Sequence, residues 1–288
     1  MSSNWGSSQI HSRTSSRSPG NRSTRGSPPR LPAAPATYTD DQLDVLEEQN
    51  DKYVTQKHLL HALDHVIQVL NARGIQYGVM GGMSMILLGN QRRTTRDVDV
   101  AVKVKVRDLL SAFSDDDRVY IPRAISVGGS GVARIFVLTG RSYGENVPSL
   151  AVEVDLILNG NKGAPRELRG ATNTYAVSTE CGQRSYNILG LQYLFLAKLR
   201  SLNERDSQND FDDLVWMSSA HPGAVTEFAP RLDYGVRSHF ARKYAEMELD
   251  PRRVDRLCAV LDVDKPSSRS SSQGSHRSSG SGPRHPRY

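Results

Sequence analysis

The chain has 288 residues, a net charge of +6, a mean hydropathy of −0.51 and an isoelectric point near 9.4, enough length for one large or two small cored domains. Its two cysteines, Cys181 and Cys258, exclude a disulfide framework, and no Cys/His cluster has zinc spacing. No run approaches the ~20 apolar residues of a membrane span and no apolar secretory segment follows the start, so the sequence reads as intracellular, in cytoplasm or nucleus.

The basicity is local. Residues 1–37 hold Arg13, Arg17, Arg22, Arg25 and Arg30 without an acid, and residues 265–288 hold Lys265, Arg269, Arg277, Arg284 and Arg287 without an acid. Two tails of +5 each within a net of +6 leave a body of −4. Rich in Ser, Gly, Pro and Arg, the tails bury too little apolar surface to offset chain ordering, which costs about 1–2 kcal/mol per residue. They read as disordered segments that either solubilise the chain or attract RNA or another polyanion.

From Tyr38 the composition turns globular. Thr39-Asp40 caps a short acidic helix to about Asn50, and Thr55 starts a longer one with Leu59, Leu60, Leu63, Val66, Ile67 and Leu70 on one face. His58, His61 and His65 share its 3/4 spacing and read as a solvated edge rather than a metal stripe. A strand over 77–80 runs through Gly81-Gly82 into an apolar helix that ends near Gly89, and polar residues 90–96 lead to an alternating strand over 97–104. A helix over 106–113 and strands over 133–139 and 150–158 follow, with Gly128-Gly129-Ser130-Gly131 as a hairpin or loop. Helices over 191–203, 210–219 and 252–261 complete the reading. The fold class is α/β (α+β), a small mixed β-sheet with helices on one side and a helical C-terminal region. Its boundaries are 1–37 tail, 38–183 sheet domain, 184–264 helical region and 265–288 tail.

Four D-x-D triplets occur, at Asp97/Asp99, Asp115/Asp117, Asp210/Asp212 and Asp262/Asp264, and only the first follows a strand, Gly-Gly and helix. On a strand, Asp97 and Asp99 share one face while Val98, Val100 and Val102 face the core. Carboxylates two apart lie about 6–7 Å apart along the backbone, close enough to converge on two cations about 3.5–4 Å apart. Glu153 and Asp155 share a face in the same way. A Gly-Gly turn at a helix start lets backbone amides approach a phosphate, and Ser84 adds a hydroxyl there.

Gly81-Gly82-Met83-Ser84, Arg93-Thr94-Thr95-Arg96-Asp97-Val98-Asp99 and Glu153-Val154-Asp155 together resemble the nucleotidyltransferase superfamily. Lys198-Leu199-Arg200, Arg205 and Asp210-Phe211-Asp212-Asp213-Leu214 resemble its AbiEii-like branch, with Asn209 where that branch has a basic residue. The likeness spans roughly residues 55–220. It implies a catalytic domain that transfers a nucleoside monophosphate from an NTP to an acceptor, with RNA among the candidates. It also implies two Mg²⁺ ions on Asp97, Asp99 and Asp155 (or Glu153) and a triphosphate on Gly81, Gly82, Ser84 and Lys198. Arg93 either neutralises phosphate charge or braces the D-x-D loop. The resemblance favours Asp155 as third acid, since Leu156-Ile157 follow it.

Overall fold

The computed structural model describes residues 36–122 and 131–266. The readings of the two tails, apart from their inner ends, and of Gly128-Gly129-Ser130 lie outside these residues.

The chain opens with β1 (Ala36–Tyr38), α1 (Asp40–Tyr53) and α2 (Gln56–Ala72). It continues through β2 (Gln76–Met80), α3 (Gly81–Leu87), β3 (Val98–Lys103) and α4 (Val106–Phe113). Next come β4 (Val119–Pro122), β5 (Val132–Thr139), β6 (Leu150–Leu158) and a hairpin of β7 (Thr172–Thr179) and β8 (Gly182–Leu189). The helices α5 (Leu191–Arg205), α6 (Gln208–Ala220), α7 (Pro222–Phe228), α8 (Tyr234–Met247) and α9 (Pro251–Leu261) follow. The described strands form one mixed sheet, ordered β1-β4-β5-β6-β3-β2-β8-β7.

Local chemistry accounts for the helix starts. The Gln42 side chain accepts from the Thr39 N–H at 2.9 Å, and His58 Nδ1 accepts from the Thr55 N–H at 3.2 Å, so each first turn has a partner for an otherwise orphaned donor. The leucine face of α2 is buried with Val98, Val100, Val152 and Val154, which seals one side of the sheet. Fully burying each such side chain contributes about 1.5–3 kcal/mol.

A second, smaller cluster lies on the other side. Leu46 of α1 packs there with Tyr38, Phe136, Leu138 and Ala151. Phe136 pairs with Glu153 and Leu138 with Ala151 across β5 and β6, so this is the face that carries Glu153 and Asp155. The expectation of helices on one side only is therefore corrected: α2 covers one face and α1 covers part of the acidic one.

Three further corrections follow. Ala36 and Thr37, read as tail, belong to β1, where they pair with Tyr120 and Ile121 of β4. The boundary read at 183/184 falls inside β8; the sheet runs to Leu189 and the helices begin at Leu191. The histidines are not a solvated edge. His58 is buried, with Nε2 3.0 Å from the Pro148 carbonyl oxygen, and His65 Nε2 lies 2.7 Å from Asp116 Oδ2. Among the described residues no helix is long and apolar enough to cross a membrane.

Candidate active site

Strand register brings the acids together. β3 and β6 run parallel with Asp99 level with Asp155, and β2 pairs antiparallel with β3 so that Met80 lies opposite Asp99. The chain leaves β2 straight into Gly81, whose φ of +63° is costly for any residue with a Cβ. Space is the stronger constraint, because a Cβ on Gly81 would lie 1.8 Å from Asp99 Oδ2. At Gly82 a Cβ would lie 2.5 Å from Thr95 Oγ1, and that hydroxyl donates to Asp97 Oδ1 at 2.7 Å. The glycine pair and the D-x-D strand thus form one packed unit.

Arg134, which the sequence reading missed, stands beside these acids. It pairs with Asp155 across β5 and β6, and its Nε and Nη2 donate to the two Asp155 oxygens at 3.0 and 3.3 Å. The same guanidinium reaches Glu153 at 3.0 Å and Glu47 of α1. Burial opposes the Arg134 charge, but hydrogen bonds and charge from Asp155, with Glu153 and Glu47 adding to them, outweigh it and raise its pKa above the ordinary arginine range. A lone charged residue in the otherwise apolar run 132–138 was the available sequence signal.

Asn50 is the second missed residue. Almost fully buried, it donates through Nδ2 to the Arg96 carbonyl at 2.7 Å and accepts from the Glu153 N–H at 3.2 Å. One amide from α1 therefore ties the residue before Asp97 to the strand that carries Glu153 and Asp155.

Burial and carboxylate crowding act together on two of these acids. Burial, then the charges of Asp97 and Asp155, push Asp99 up to about 8, with Lys198 acting in the opposite sense. Glu153 is pushed up to about 7, chiefly by burial; Arg134 opposes the shift, while Asp155 and Asp97 add to it.

The remaining expected residues divide. Gly81, Gly82, Arg93, Asp97, Asp99, Asp155 and Lys198 all line one cleft of about 1530 Å³, floored by the sheet and walled by α1 and α5. Ser84 does not. It is fully buried and its Oγ donates to the Gly81 carbonyl at 2.8 Å, so its hydroxyl is spent on the helix's own first turn. Lys198 and Arg93 are also committed. Lys198 Nζ lies 2.8 Å from both Asp210 and Asp213, and Arg93 Nε lies 3.1 Å from Asp213. Burial pushes Asp210 up, but Lys198 and Arg205 outweigh it and hold its carboxyl below the usual range. Asp210 and Asp213 are almost wholly buried, so removing Lys198 takes a buried counter-charge from both and leaves Asp210 to Arg205 and Asp213 to Arg93. Lys198→Ala is expected to cost about 3–5 kcal/mol and lower the melting midpoint by on the order of 10 °C, read by circular dichroism on the apo protein. An unchanged midpoint would show that this ion-pair cluster is not structural.

Among the described residues no three His, Cys, Asp or Glu side chains gather as a metal-binding group. The donor set nevertheless suits a hard cation: it is oxygen only, and Asp99 is crowded by like charges that a cation would relieve.

Residues 62–118 match the family model for aminoglycoside-2''-adenylyltransferase. The matched stretch runs from within α2 through α4 and contains Gly81, Gly82, Asp97 and Asp99. This stretch is nucleotidyltransferase-like. α1, with Glu47 and Asn50, and the β5–β6 pair, with Arg134 and Asp155, lie outside it. No curated protein matches the chain in sequence. Among solved structures, an antigenic nucleotidyltransferase-like protein of Paracoccidioides brasiliensis aligns at 15% identity over 72% of this chain and 95% of its own, with a TM-score of 0.48. The antibiotic-resistance factor ANT(2'')-Ia aligns at 12% identity over 69% and 97%, with a TM-score of 0.40. A nucleotidyltransferase toxin of Mycobacterium tuberculosis aligns at 15% identity over 73% and 72%, with a TM-score of 0.39.

Proposed function

We propose that this chain is a metal-dependent nucleotidyltransferase that moves a nucleoside monophosphate from an NTP to an acceptor, an RNA, a protein or a small molecule. The observation that carries the reading is the level placement of Asp99 and Asp155 on adjacent strands, with Gly81 pressed against the Asp99 carboxylate. Asp97, Asp99 and Asp155 would hold two Mg²⁺ ions, which supply charge stabilisation at the transferring phosphoryl group and lower the pKa of the attacking group. The chain's own part is to present these carboxylates, to expose the backbone at Gly81-Gly82 to phosphate, and to hold the acids in place through Asn50 and Arg134. The AbiEii-like affinity rests on Lys198, Arg205, Asp210 and Asp213, which form one ion-paired cluster at the cleft edge.

A second reading, a non-catalytic adaptor whose basic tails bind polyanions, draws on Arg134, since it occupies both oxygens of Asp155. The two readings separate by incubating the protein with Mg²⁺, each α-labelled NTP in turn and a total RNA or protein extract. Catalysis gives label in a macromolecule or small-molecule fraction, lost on adding a chelator. No incorporation from any NTP, with no Mg²⁺-dependent nucleotide binding, leaves the adaptor.

A further inference from the structure

The cations first expected to meet phosphate are already neutralised within the protein. Lys198 sits between Asp210 and Asp213, and Arg93 leans on Asp213. Arg134 is held by three acids of two elements, α1 and β6, Arg96 pairs with Asp51 at 3.2 Å, and Arg205 pairs with Asp210 at 3.0 Å. Two cleft-lining cations remain. Among the described residues Lys162 and Arg200 have no ion pair and no side-chain hydrogen bond, and both are exposed to the cleft.

Their placement is built. Lys162 lies in the turn that follows β6, the strand of Asp155, and adopts φ +46°, a left-handed conformation that costs a residue with a Cβ about 1 kcal/mol or more. The turn is pinned by Gly160 N–H to the Ala164 carbonyl at 3.1 Å, Ala164 N–H to the Asn161 carbonyl at 2.8 Å and Asn161 Nδ2 to the Leu158 carbonyl at 3.2 Å. On one side Asn161 fills the place a side chain on Gly131 would take. On the other, a Cβ at Gly163 would lie 2.6 Å from Ala197 Cβ, so the turn is pressed directly onto α5. Ala197 and Arg200 are three residues apart on α5 and therefore neighbours on one helix face. The packing brings Lys162 to the face that carries Arg200, and a lysine held in a disfavoured backbone state points to a use for its side chain.

We propose that Lys162 and Arg200 form the phosphate-binding pair of the cleft, within the nucleotidyl-transfer reading on which this rests. Two uncommitted cations, one a compact ammonium and one a planar fork, suit adjacent phosphate oxygens. That chemistry belongs both to the triphosphate of a nucleotide and to the backbone of a nucleic-acid acceptor, and the probes separate them.

The test uses the full chain with Lys162→Met, Arg200→Met, the double variant and Lys162→Arg. Dissociation constants are measured by calorimetry with Mg²⁺ for tripolyphosphate, ATP, a single-stranded oligoribonucleotide and adenosine. Each single loss is expected to weaken tripolyphosphate and ATP about tenfold, and the double loss about 100-fold. Lys162→Arg restores most of the affinity, adenosine is indifferent, and the apo melting midpoints stay with the wild type because neither side chain has a partner to lose. Weakening confined to the oligoribonucleotide assigns the pair to an acceptor backbone. Wild type that binds the oligoribonucleotide through the pair but never ATP upholds the pair and removes nucleotidyl transfer. Wild type that binds ATP while the double variant binds every phosphate probe equally well overturns this proposal alone. Wild type that binds none of the phosphate probes overturns both.

Discussion

Asp99→Asn is expected to lower nucleotidyl transfer by at least about 10³-fold, the rate equivalent of several kcal/mol of lost transition-state stabilisation, and at the same time to stabilise the apo protein at pH 8. Both effects come from one carboxylate. Asp99 is pushed up to about 8 by burial and by the charges of Asp97 and Asp155. Between the ordinary carboxylate range and about 8 the folded protein therefore keeps a proton that the unfolded chain has released. Stability then falls as pH rises through that window. Asparagine cannot ionise, so the variant escapes the loss. At pH 5, where Asp99 is neutral in the fold, the two proteins should differ less in apo melting midpoint. At pH 8 the variant should melt higher, each kcal/mol of relief being worth about 2–4 °C in a chain of this size class. Mg²⁺ should raise the wild-type midpoint at pH 8 by mass action and leave the variant nearly unmoved. Asp97→Ala should share the loss of transfer. An Asp99→Asn protein that still transfers label at the wild-type rate ends the case for catalysis at this site. A variant less stable than wild type at both pH values instead shows that the carboxylate is held as a structural ion.

The same carboxylates show why part of the site was legible in sequence. A two-residue period fixes which side chains share a face, so Asp97 with Asp99, and Glu153 with Asp155, followed from spacing alone. Strand register is not local, and alternation cannot say that Asp99 lies level with Asp155 rather than Glu153. Arg134 was missed because its role depends on the pairing of β5 with β6, and Asn50 because both its partners are backbone groups more than 40 residues away. Ser84 failed for a different reason: a serine in the first turn of a helix can satisfy a backbone carbonyl as readily as a ligand. The β7–β8 hairpin escaped notice because its apolar positions are few and β7, at the sheet edge, packs Tyr175 and Val177 only partly buried against the core while its other residues are polar or small. α8 was hidden by Arg237, a buried arginine within its apolar face that donates to the Leu232, Leu261 and Asp262 carbonyls. Elements with a clean leucine or valine period, α2, β3 and β6, were found within a residue or two of their ends.

Asp155→Asn is expected to abolish turnover, again by about 10³-fold or more, whereas Glu153→Gln should retain a substantial fraction. Register gives the first reason: Asp155, not Glu153, stands level with Asp99 on the neighbouring strand. Protonation gives the second. Glu153 is pushed up to about 7, chiefly by burial, so near neutral pH a large share of the protein already holds it uncharged. Glutamine imitates that form. Arg134 supplies the third reason, because it stays paired with Asp155 and Glu47 when Glu153 loses its charge. Asp155→Asn instead removes the carboxylate that both of Arg134's inward-facing donors address, leaving the guanidinium to swing toward Glu153. Single-turnover rates at saturating Mg²⁺ and NTP, with Mn²⁺ affinity followed by electron paramagnetic resonance, separate these cases. Asp155→Asn should lose rate and at least one bound ion together, and Glu153→Gln should keep both. If Glu153→Gln is the dead variant and Asp155→Asn the active one, the working acid lies two residues back along β6, beside Asp97 rather than Asp99, and Arg134 becomes the partner of a spectator.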